Sequence, residues 1–464
     1  MVNGYWKGDS PITINHKRLL YCYGWHFAVG MVNFEPMQAQ LISIGNELLI
    51  GDTINTNASW MGQFLNDLGI EVTRVHTISD DSDLIKKTVK SCMEASDLVI
   101  TTGGLGPTHD DITKTSIAEL FNVGLYKNEE VDQYVRELFK SRNIPFSESN
   151  AWQAMVPENC EVLFNKAGTA PGMWFHEMDC YLAVLPGVPY EMKYLMKRRV
   201  ASKLRNVSEN IGYIHTEYLK VAGIGESTLS DTILGDLSSF LTNGVSLAFL
   251  PSFGQVTLRI TGKGETKEAA TEHAQKLIDF IREKTDPFIY GETKEASISE
   301  SLGTILKEKE FTVATAESCT GGLLASKITD ISGSSAYMLG GIVSYANEVK
   351  IKQLGVLQQD LDTVGAVSKQ VALQMAKGVA ENLGADIGIS TTGIAGPGGG
   401  SPEKPVGTVW IGFYSSEQHF AVKALFTKDR LVNKERTVVT ALEIIRRVLI
   451  GIEELPYSLK KETS

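Results

Sequence analysis

The sequence lacks the features that define several classes of protein. It has five cysteines, which are odd in number and scattered and form no C-x-x-C pair: Cys22, Cys92, Cys160, Cys180 and Cys319. This usage is typical of a reducing compartment and gives no metal-binding spacing. The sequence also has no apolar run long enough to span a membrane. We therefore expect a cytoplasmic protein with no membrane partner.

An excess of positive charge is missing as well. The chain carries 44 Lys and Arg residues against 55 Asp and Glu residues, for a formal net charge of −11. This balance disfavours direct contact with nucleic acid or with an anionic membrane surface. The 464 residues, 43% hydrophobic and 21% charged, have the composition of a globular protein with two to four domains.

The first 36 residues differ from the rest of the chain. Lys17 and Arg18 precede an apolar run over 19–34 that faintly resembles a signal peptide. Polar residues interrupt the run, and no small-residue cleavage site follows it. We expect residues 1–36 to be a disordered extension and the fold to begin at Met37.

Strand and helix patterns alternate after that point. Residues 40–45 are predicted to form a buried parallel strand. Further strands are predicted over 71–77, 98–102 and 181–185, and helices over 58–68 and 83–94. Alternating strands and helices predict a doubly wound α/β sheet, whose ligands gather at the carboxyl ends of the strands.

A glycine-rich loop with two acids follows the strand at 98–102. Backbone N–H groups of such a loop can bind phosphate, and adjacent carboxylates can hold a divalent cation that bridges to it. The alternative is that one acid only caps the next helix. The candidate residues are Gly103, Gly104, Gly106, Thr108, Asp110 and Asp111, with Gly187 after the strand at 181–185.

A second reactive stretch lies in the last third of the chain. A β-branched run over 312–316 leads to Ser318 and two glycines, and a helix is predicted from Leu323. A serine on a strand-to-helix turn can be an exposed nucleophile, and the N–H groups at the helix start can bind phosphate. The alternative is ordinary turn chemistry. Two further loops of this region are a strand edge running into a polar turn over 340–350 and a glycine-rich loop over 392–400.

These motifs together resemble the CinA family over about residues 37–455. Segments 45–57, 103–113 and 185–193 resemble its molybdopterin-binding-like domain. The strings ESCTGG, GSSAY, SYANEVK, TTGIAGPGGG and KPVGTVW resemble its nicotinamide-nucleotide amidase domain. The resemblance implies an α/β protein with an N-terminal doubly wound molybdopterin-binding-like domain over 37–196, a small α+β KH-type domain over 197–294, and an α/β amidase domain over 295–464.

A KH-type domain raises the question of RNA binding. Residues 201–294 contain 10 basic and 12 acidic residues, so this part of the chain carries no positive surplus. RNA binding depends strongly on positive charge. We expect a docking or dimerisation role instead, in a homodimer.

The amidase resemblance implies hydrolysis of nicotinamide mononucleotide to nicotinate mononucleotide and ammonia, without a cofactor. Ser318 is the expected nucleophile, Lys350 the base if it is neutral, and Tyr345 a proton relay or an orienting group. Ser335 and Cys319 are alternative nucleophiles. Arg430 is assigned to the 5′-phosphate, and the other expected contacts are Thr320, Gly321, Gly322, Ser335, Asn347, Gly393, Ala395 and Gly396.

The N-terminal resemblance implies ADP-ribose pyrophosphatase activity that depends on a divalent metal held by Asp110 and Asp111. Asp52, Asn55 and Asn57 are expected to contact the ribose or adenine side. Two other functions remain open at this stage: a molybdopterin-binding or adenylylating protein, and a non-catalytic scaffold in DNA uptake.

Overall fold

The computed structural model describes residues 37–108, 111–207 and 213–463. The expectation for residues 1–36 lies outside these ranges. These described residues form one compact unit. None of the helices described is both long and apolar enough to cross a bilayer.

The N-terminal domain is built on a six-stranded sheet. Its strand order is β2-β1-β3-β8-β7-β6, and the first four of these strands are parallel. A two-stranded ribbon, β4-β5, lies outside the sheet. The strands are β1 Gln38–Ile44, β2 Glu71–Ile78, β3 Leu98–Thr102, β4 Leu125–Lys127, β5 Met155–Pro157, β6 Glu161–Leu163, β7 Gly172–Glu177 and β8 Cys180–Leu185.

Helices cover both faces of this sheet and bury two apolar clusters, one around Leu41 and one around Ile42. Neighbouring residues of a strand point to opposite faces, so β1 alone feeds both clusters. The helices are α1 Asn46–Leu49, α2 Thr56–Asp67, α3 Ser82–Glu94, α4 Thr113–Leu120, α5 Glu129–Ser141, α6 Glu148–Ala151, α7 Pro189–Leu195 and α8 Ala201–Val207, with a 3-10 turn at Trp152–Ala154 and a π turn at Met196–Val200.

The middle domain is an antiparallel sheet with one long helix packed on it. Its strand order is β10-β11-β9-β12. The strands are β9 Tyr213–Ala222, β10 Ser246–Ser252, β11 Gln255–Gly264 and β12 Ile289–Gly291; the helix is α9 Lys267–Thr285, with a π turn at Thr228–Leu234 and a 3-10 turn at Asp286–Phe288.

The C-terminal domain has a five-stranded sheet in the order β14-β13-β15-β16-β17. The first three strands are parallel and the last two antiparallel. The strands are β13 Val313–Glu317, β14 Met338–Val343, β15 Ile387–Gly393, β16 Thr408–Tyr414 and β17 His419–Leu425. The helices are α10 Ile298–Glu308, α11 Leu323–Thr329, α12 Asn347–Leu354, α13 Gln358–Thr363, α14 Lys369–Leu383 and α15 Arg430–Leu449, with 3-10 turns at Ser334–Ala336 and Pro456–Ser458.

A buried ionic cluster joins α15 to the middle domain. Glu443 is fully buried and accepts hydrogen bonds from Arg446 and Arg447 at 2.8 Å each. Arg447 also donates to the carbonyl of Ala222, and Arg446 donates to carbonyls at Pro287 and Ile289. The C-terminal domain is therefore hydrogen-bonded through α15 to the end of β9 and to the start of β12 in the middle domain.

The structure confirms the predicted fold class, with three mixed α/β or α+β domains in the expected order. It also corrects the sequence analysis in one place. The strand edge predicted within 340–350 is part of β14, whereas the polar turn predicted after it leads into α12, which contains Lys350.

Candidate functional site

The C-terminal site lies where three parallel strands end. Ser318 follows β13, Ser344 and Tyr345 follow β14, and Gly396 lies just beyond β15. Parallel strands place their carboxyl ends at one edge of the sheet, and loops at that edge form the usual binding sites of α/β domains. Loops that are distant in sequence therefore meet here.

Ser318 and Lys350 are in contact at this edge. Lys350 Nζ lies 3.2 Å from Ser318 Oγ, which is within hydrogen-bond distance. The sequence analysis expected Lys350 to reach the serine from a loop. It does so from the first turn of α12. The helix gives Lys350 a fixed backbone position, which a polar turn does not provide.

The environment of Lys350 suits an uncharged amine. The side chain is 1% exposed, and burial lowers its pKa from the ordinary value of 10.5. Its Nζ donates to the carbonyl oxygens of Ser344 at 2.7 Å and Tyr345 at 3.4 Å. A neutral amine has two hydrogens and one lone pair. In that uncharged form the two carbonyls would accept the two hydrogens, and the lone pair would be left to accept the Ser318 hydroxyl proton.

Glu317 holds the turn that carries Ser318. Its buried carboxylate accepts hydrogen bonds from the N–H groups of Gly322 at 2.9 Å, Leu324 at 3.0 Å and Ala325 at 2.8 Å. These are the groups that a helix start leaves unpaired. The expectation that the Gly322 N–H binds a phosphate is therefore wrong, because a carboxylate of the chain already occupies it.

The neighbours of Ser318 are also fixed. The Thr320 and Thr391 hydroxyls are 2.7 Å apart and both buried, so Thr320 links the turn to β15 and is not exposed to a ligand. Cys319 is buried, and burial raises the pKa of its thiol to about 12. A thiol with that pKa is not a thiolate nucleophile near neutral pH. Ser318 is the better nucleophile of the two.

Arg430 bridges two loops of the site. It begins α15 and donates to the Gly396 carbonyl at 2.9 Å and to the Tyr345 hydroxyl at 3.2 Å. The Tyr345 side chain is 64% exposed, and its hydroxyl is bound to Arg430. It is the Tyr345 carbonyl, and not the hydroxyl expected from the sequence, that contacts Lys350.

A second cation near the turn was missed by the sequence analysis. Lys434 Nζ lies 3.8 Å from the position that a Cβ on Gly321 would take. Lys434 is four residues after Arg430, so both side chains lie on the same face of α15. This spacing from Arg430 was the only feature of the sequence that pointed to Lys434. Two cations on one helix face can bind a phosphate beside the turn.

The remaining predicted residues of this domain are divided between two ends of the sheet. Asn347 is exposed in the first turn of α12, and Gly393 ends β15. The Ala395 carbonyl accepts a hydrogen bond from the Asn433 side chain. Ser335 precedes β14, whose six residues separate it from Ser344 by about 20 Å. Ser335 is therefore not an alternative nucleophile beside Lys350 in the same chain.

The N-terminal site is a cleft of about 450 Å³. It lies at the carboxyl ends of β1, β2, β3 and β8, as the sequence predicted for ligands of this sheet. Of the predicted residues, the lining includes Asn55, Asn57, Gly103, Gly104, Gly106, Asp111 and Gly187. Residues in the lining that the sequence analysis did not single out include Glu47, Asp80, Gln153, Thr169 and Glu191. Only Glu47 and Glu191 belonged to segments that carried the resemblance.

Asn57 has an unused acceptor in this cleft. Its Nδ2 donates to the Gly187 carbonyl at 2.7 Å, whereas its buried Oδ1 has no partner among the described residues. Asn55 is instead used by the fold, because its Oδ1 accepts from the Ala58 N–H and caps α2. Asp52 is exposed and lies outside the lining, so its expected contact with the ribose side has no support.

The glycine-rich loop of the cleft needs its glycines. Gly103 has a φ of +114°, and a Cβ there would collide with the Ile44 carbonyl oxygen. A Cβ on Gly106 would lie 2.5 Å from Asp111 Oδ2. Asp111 Oδ2 accepts from the N–H and hydroxyl of Thr108, so Thr108 and Asp111 stabilise the loop together.

The predicted metal site is only partly described. Asp110 lies outside the described residues. In the described ranges no three His, Cys, Asp or Glu side chains group to hold a metal. Asp111 lines the cleft and uses only Oδ2 for the Thr108 contacts. Mg²⁺ is usually bound by one or two carboxylates together with substrate phosphate oxygens, so a carboxylate beside a phosphate loop fits such an ion.

Three family models match the chain in succession. The model for a probable molybdopterin binding domain matches residues 40–206, the damage-inducible protein CinA KH domain matches 216–291, and the CinA C-terminal domain matches 295–449. These matches cover the sheet and loops of both sites.

Several proteins are similar to this chain. The CinA-like protein of Chloroherpeton thalassium is 44% identical over 89% of this chain and 99% of its own length. The CinA-like protein of Salinibacter ruber is 44% identical over 89% of this chain and 100% of its own. A crystal structure of a competence/damage inducible protein from Agrobacterium tumefaciens is 41% identical, covers 33% of this chain and 93% of its own, and has a TM-score of 0.32.

Proposed function

Because the chain belongs to the CinA family, we propose that its C-terminal domain is an amidase that hydrolyses nicotinamide mononucleotide to nicotinate mononucleotide and ammonia. The observation that carries the proposal is the 3.2 Å contact between Ser318 Oγ and the buried Lys350 Nζ. Amide hydrolysis needs a nucleophile next to a base, and this pair supplies both.

The reaction then proceeds in two stages. Lys350 accepts the Ser318 proton as Oγ attacks the carboxamide carbon, and the protonated lysine gives that proton to the nitrogen as ammonia leaves. A water molecule, deprotonated by the neutral lysine, attacks the resulting ester, and the proton returns to Ser318 as nicotinate mononucleotide is released. Arg430 and Lys434 attract the 5′-phosphate, which holds the pyridine ring over the serine.

The direct test is release of ammonia from nicotinamide mononucleotide by the full chain, with identification of nicotinate mononucleotide as the other product. Nicotinamide riboside, which lacks the phosphate, is the matched substrate. We expect it to be a much poorer substrate, because it loses the contacts with both cations. Absence of ammonia release from nicotinamide mononucleotide would contradict the proposal.

The pH profile tests the state of Lys350. Its pKa is lowered by burial, so the neutral base accumulates as pH rises, and kcat should reach its plateau before pH 10.5. Lys350→Arg should abolish this limb together with nearly all activity, because a guanidinium stays charged. Lys352→Arg, at an exposed position of the same helix, should leave the profile unchanged. A rising limb that persists in Lys350→Arg would assign the base to another group.

We further propose that the N-terminal cleft is a metal-dependent ADP-ribose pyrophosphatase. Its support is the glycine-rich loop beside Asp111 and the unpaired Asn57 acceptor, both in one cleft of nucleotide size. A divalent cation held by Asp110 and Asp111 would polarise a phosphoryl oxygen when bound. The loop N–H groups bind the phosphates, and Asn57 accepts a hydrogen bond from a ligand hydroxyl or amine.

Metal dependence should separate the two activities. Chelator, or Asp111→Asn, should abolish ADP-ribose cleavage and leave deamidation of nicotinamide mononucleotide intact. The asparagine keeps an acceptor for Thr108, so the loop retains its contacts while the charge is lost. Asp179→Asn, in the turn between β7 and β8, is the control for loss of one charge in the same domain. Loss of deamidation under chelator would contradict the separation.

A homodimer and a cytoplasmic location remain predictions from the sequence. Molybdopterin binding and a scaffold role in DNA uptake also remain alternatives, and each lacks a specific contact in its favour among the described residues.

A further inference from the structure

One side chain of the N-terminal cleft has polar atoms that the described structure does not satisfy. Gln153 is 2% exposed and lines the cleft. Both its Nε2 and its Oε1 are buried without a hydrogen-bond partner among the described residues. Leaving both halves of a carboxamide unpaired is unfavourable, and native proteins rarely do it. A bound ligand with a donor and an acceptor would satisfy both atoms.

The backbone around Gln153 is hydrogen-bonded to α4, the helix that follows the glycine-rich loop. Gln153 lies in the 3-10 turn at Trp152–Ala154. The Trp152 carbonyl accepts from Lys114 Nζ at 2.7 Å, and the Ala154 carbonyl accepts from the Asn128 N–H at 2.8 Å. Lys114 is the second residue of α4, which begins directly after the glycine-rich loop. The backbone that carries Gln153 is therefore held in place relative to that loop.

We propose that Gln153 is the base-recognition residue of the cleft and that it binds the edge of an adenine. The inference rests on the proposed pyrophosphatase function and names the part of the substrate that it recognises. A carboxamide presents a donor and an acceptor side by side. Adenine presents its amino group beside a ring nitrogen acceptor, and glutamine pairs with both. The ribose and phosphates offer no such planar pair.

A pterin also carries an adjacent donor and acceptor, so the experiment must separate the two heterocycles. Binding of product-like ligands is measured by calorimetry on the full chain, which makes the result independent of catalysis. The probes are AMP, ribose 5-phosphate, the purine nucleotide that lacks the 6-amino group, and neopterin monophosphate.

Gln153→Met keeps the length of the side chain and removes both polar atoms. We expect it to weaken AMP binding by about 10- to 100-fold, the usual effect of losing a bidentate base contact. Ribose 5-phosphate should bind equally to both proteins. The purine nucleotide without the amino group should bind weakly to the wild type. Its affinity for the variant should be the same. Gln133→Met, at an exposed position of α5, is the matched control and should bind AMP normally.

The variant should fold as well as the wild type, because the side chain loses no hydrogen bond to any described residue. A melting temperature no lower than that of the wild type would show this. Wild-type AMP affinity in Gln153→Met would overturn the proposal, and so would an equal loss for AMP and ribose 5-phosphate. A loss confined to neopterin monophosphate would assign the cleft to a pterin.

The test also distinguishes this inference from the function on which it rests. If the wild type does not cleave ADP-ribose but its AMP binding depends on Gln153, the pyrophosphatase proposal fails and the base-recognition role stands. If ADP-ribose is cleaved and the variant has the same KM as the wild type, the activity stands and the role of Gln153 fails.

Discussion

Replacing Ser318 with alanine is expected to lower kcat for deamidation by about a thousand-fold or more, as loss of an activated nucleophile usually does. Lys350→Ala should cost nearly as much, and the double variant little more than either single change. The reason is the 3.2 Å contact between the two side chains, which places them in one proton path. The measurement is kcat for the three variants and the wild type.

Affinity for nicotinate mononucleotide is the companion measurement. It should survive in all three variants, because Arg430 and Lys434 remain in place on α15. Ser335→Ala is the matched control, since Ser335 is exposed at the opposite end of β14. Full activity in Ser318→Ala would mean that a water molecule, and not Ser318, attacks the carboxamide. Independent, multiplicative losses would contradict the pairing of Ser318 with Lys350.

Among the substitutions considered above and below, Glu443→Gln should lower the stability of the protein the most. The carboxylate is fully buried and accepts hydrogen bonds from Arg446 and Arg447, which are themselves almost fully buried. Removing one member of such a cluster leaves uncompensated buried charge and typically costs about 3–5 kcal/mol. We expect the free energy of unfolding of the C-terminal domain, measured in urea, to fall by this amount.

The control for this prediction is Glu453→Gln, because Glu453 is exposed and lies just after α15. It should unfold at the same urea concentration as the wild type. Deamidation by Glu443→Gln, assayed well below its unfolding transition, should remain measurable, since the cluster lies at the far end of α15 from Arg430. Equal midpoints for the two variants would mean that the ionic cluster does not contribute to stability.

Local sequence patterns predicted much of the fold and less of the chemistry. Buried parallel strands such as β1 and β3 are short apolar runs bounded by glycine and polar residues, so their periodicity and length are visible in the sequence. The position of Lys350 was predicted wrongly, because Ser344 to Asn347 has the composition of a turn and the helix that follows is short. A short helix depends on tertiary contacts more than on its own propensity.

The site residues that the sequence patterns did not reveal have one property in common. Lys434 and Gln153 occupy ordinary helical and turn sequence, and their importance comes from what the fold places beside them. Gln153 has no partner within the described cleft, and an unpaired atom leaves no trace in a linear pattern. Lys434 had only its spacing from Arg430 as a signal. By contrast, Ser318 and the glycines of the cleft were found because turn geometry restricts residue type. Asn57, in the first turn of α2, was found because it belongs to a segment that resembles the family.

The hydrogen bonds from α15 to the middle domain have a consequence for dividing this protein into parts. The sequence changes character near residue 295, yet Arg446 and Arg447 use carbonyls at Ala222, Pro287 and Ile289 as acceptors. A fragment that starts at residue 295 keeps both guanidinium groups and loses those acceptors. A chimera that joins this C-terminal domain to the middle domain of a relative must match the backbone path at these three carbonyls. The practical unit of exchange is therefore residues 213–463, which is larger than the segment 295–449 that the C-terminal family model matches.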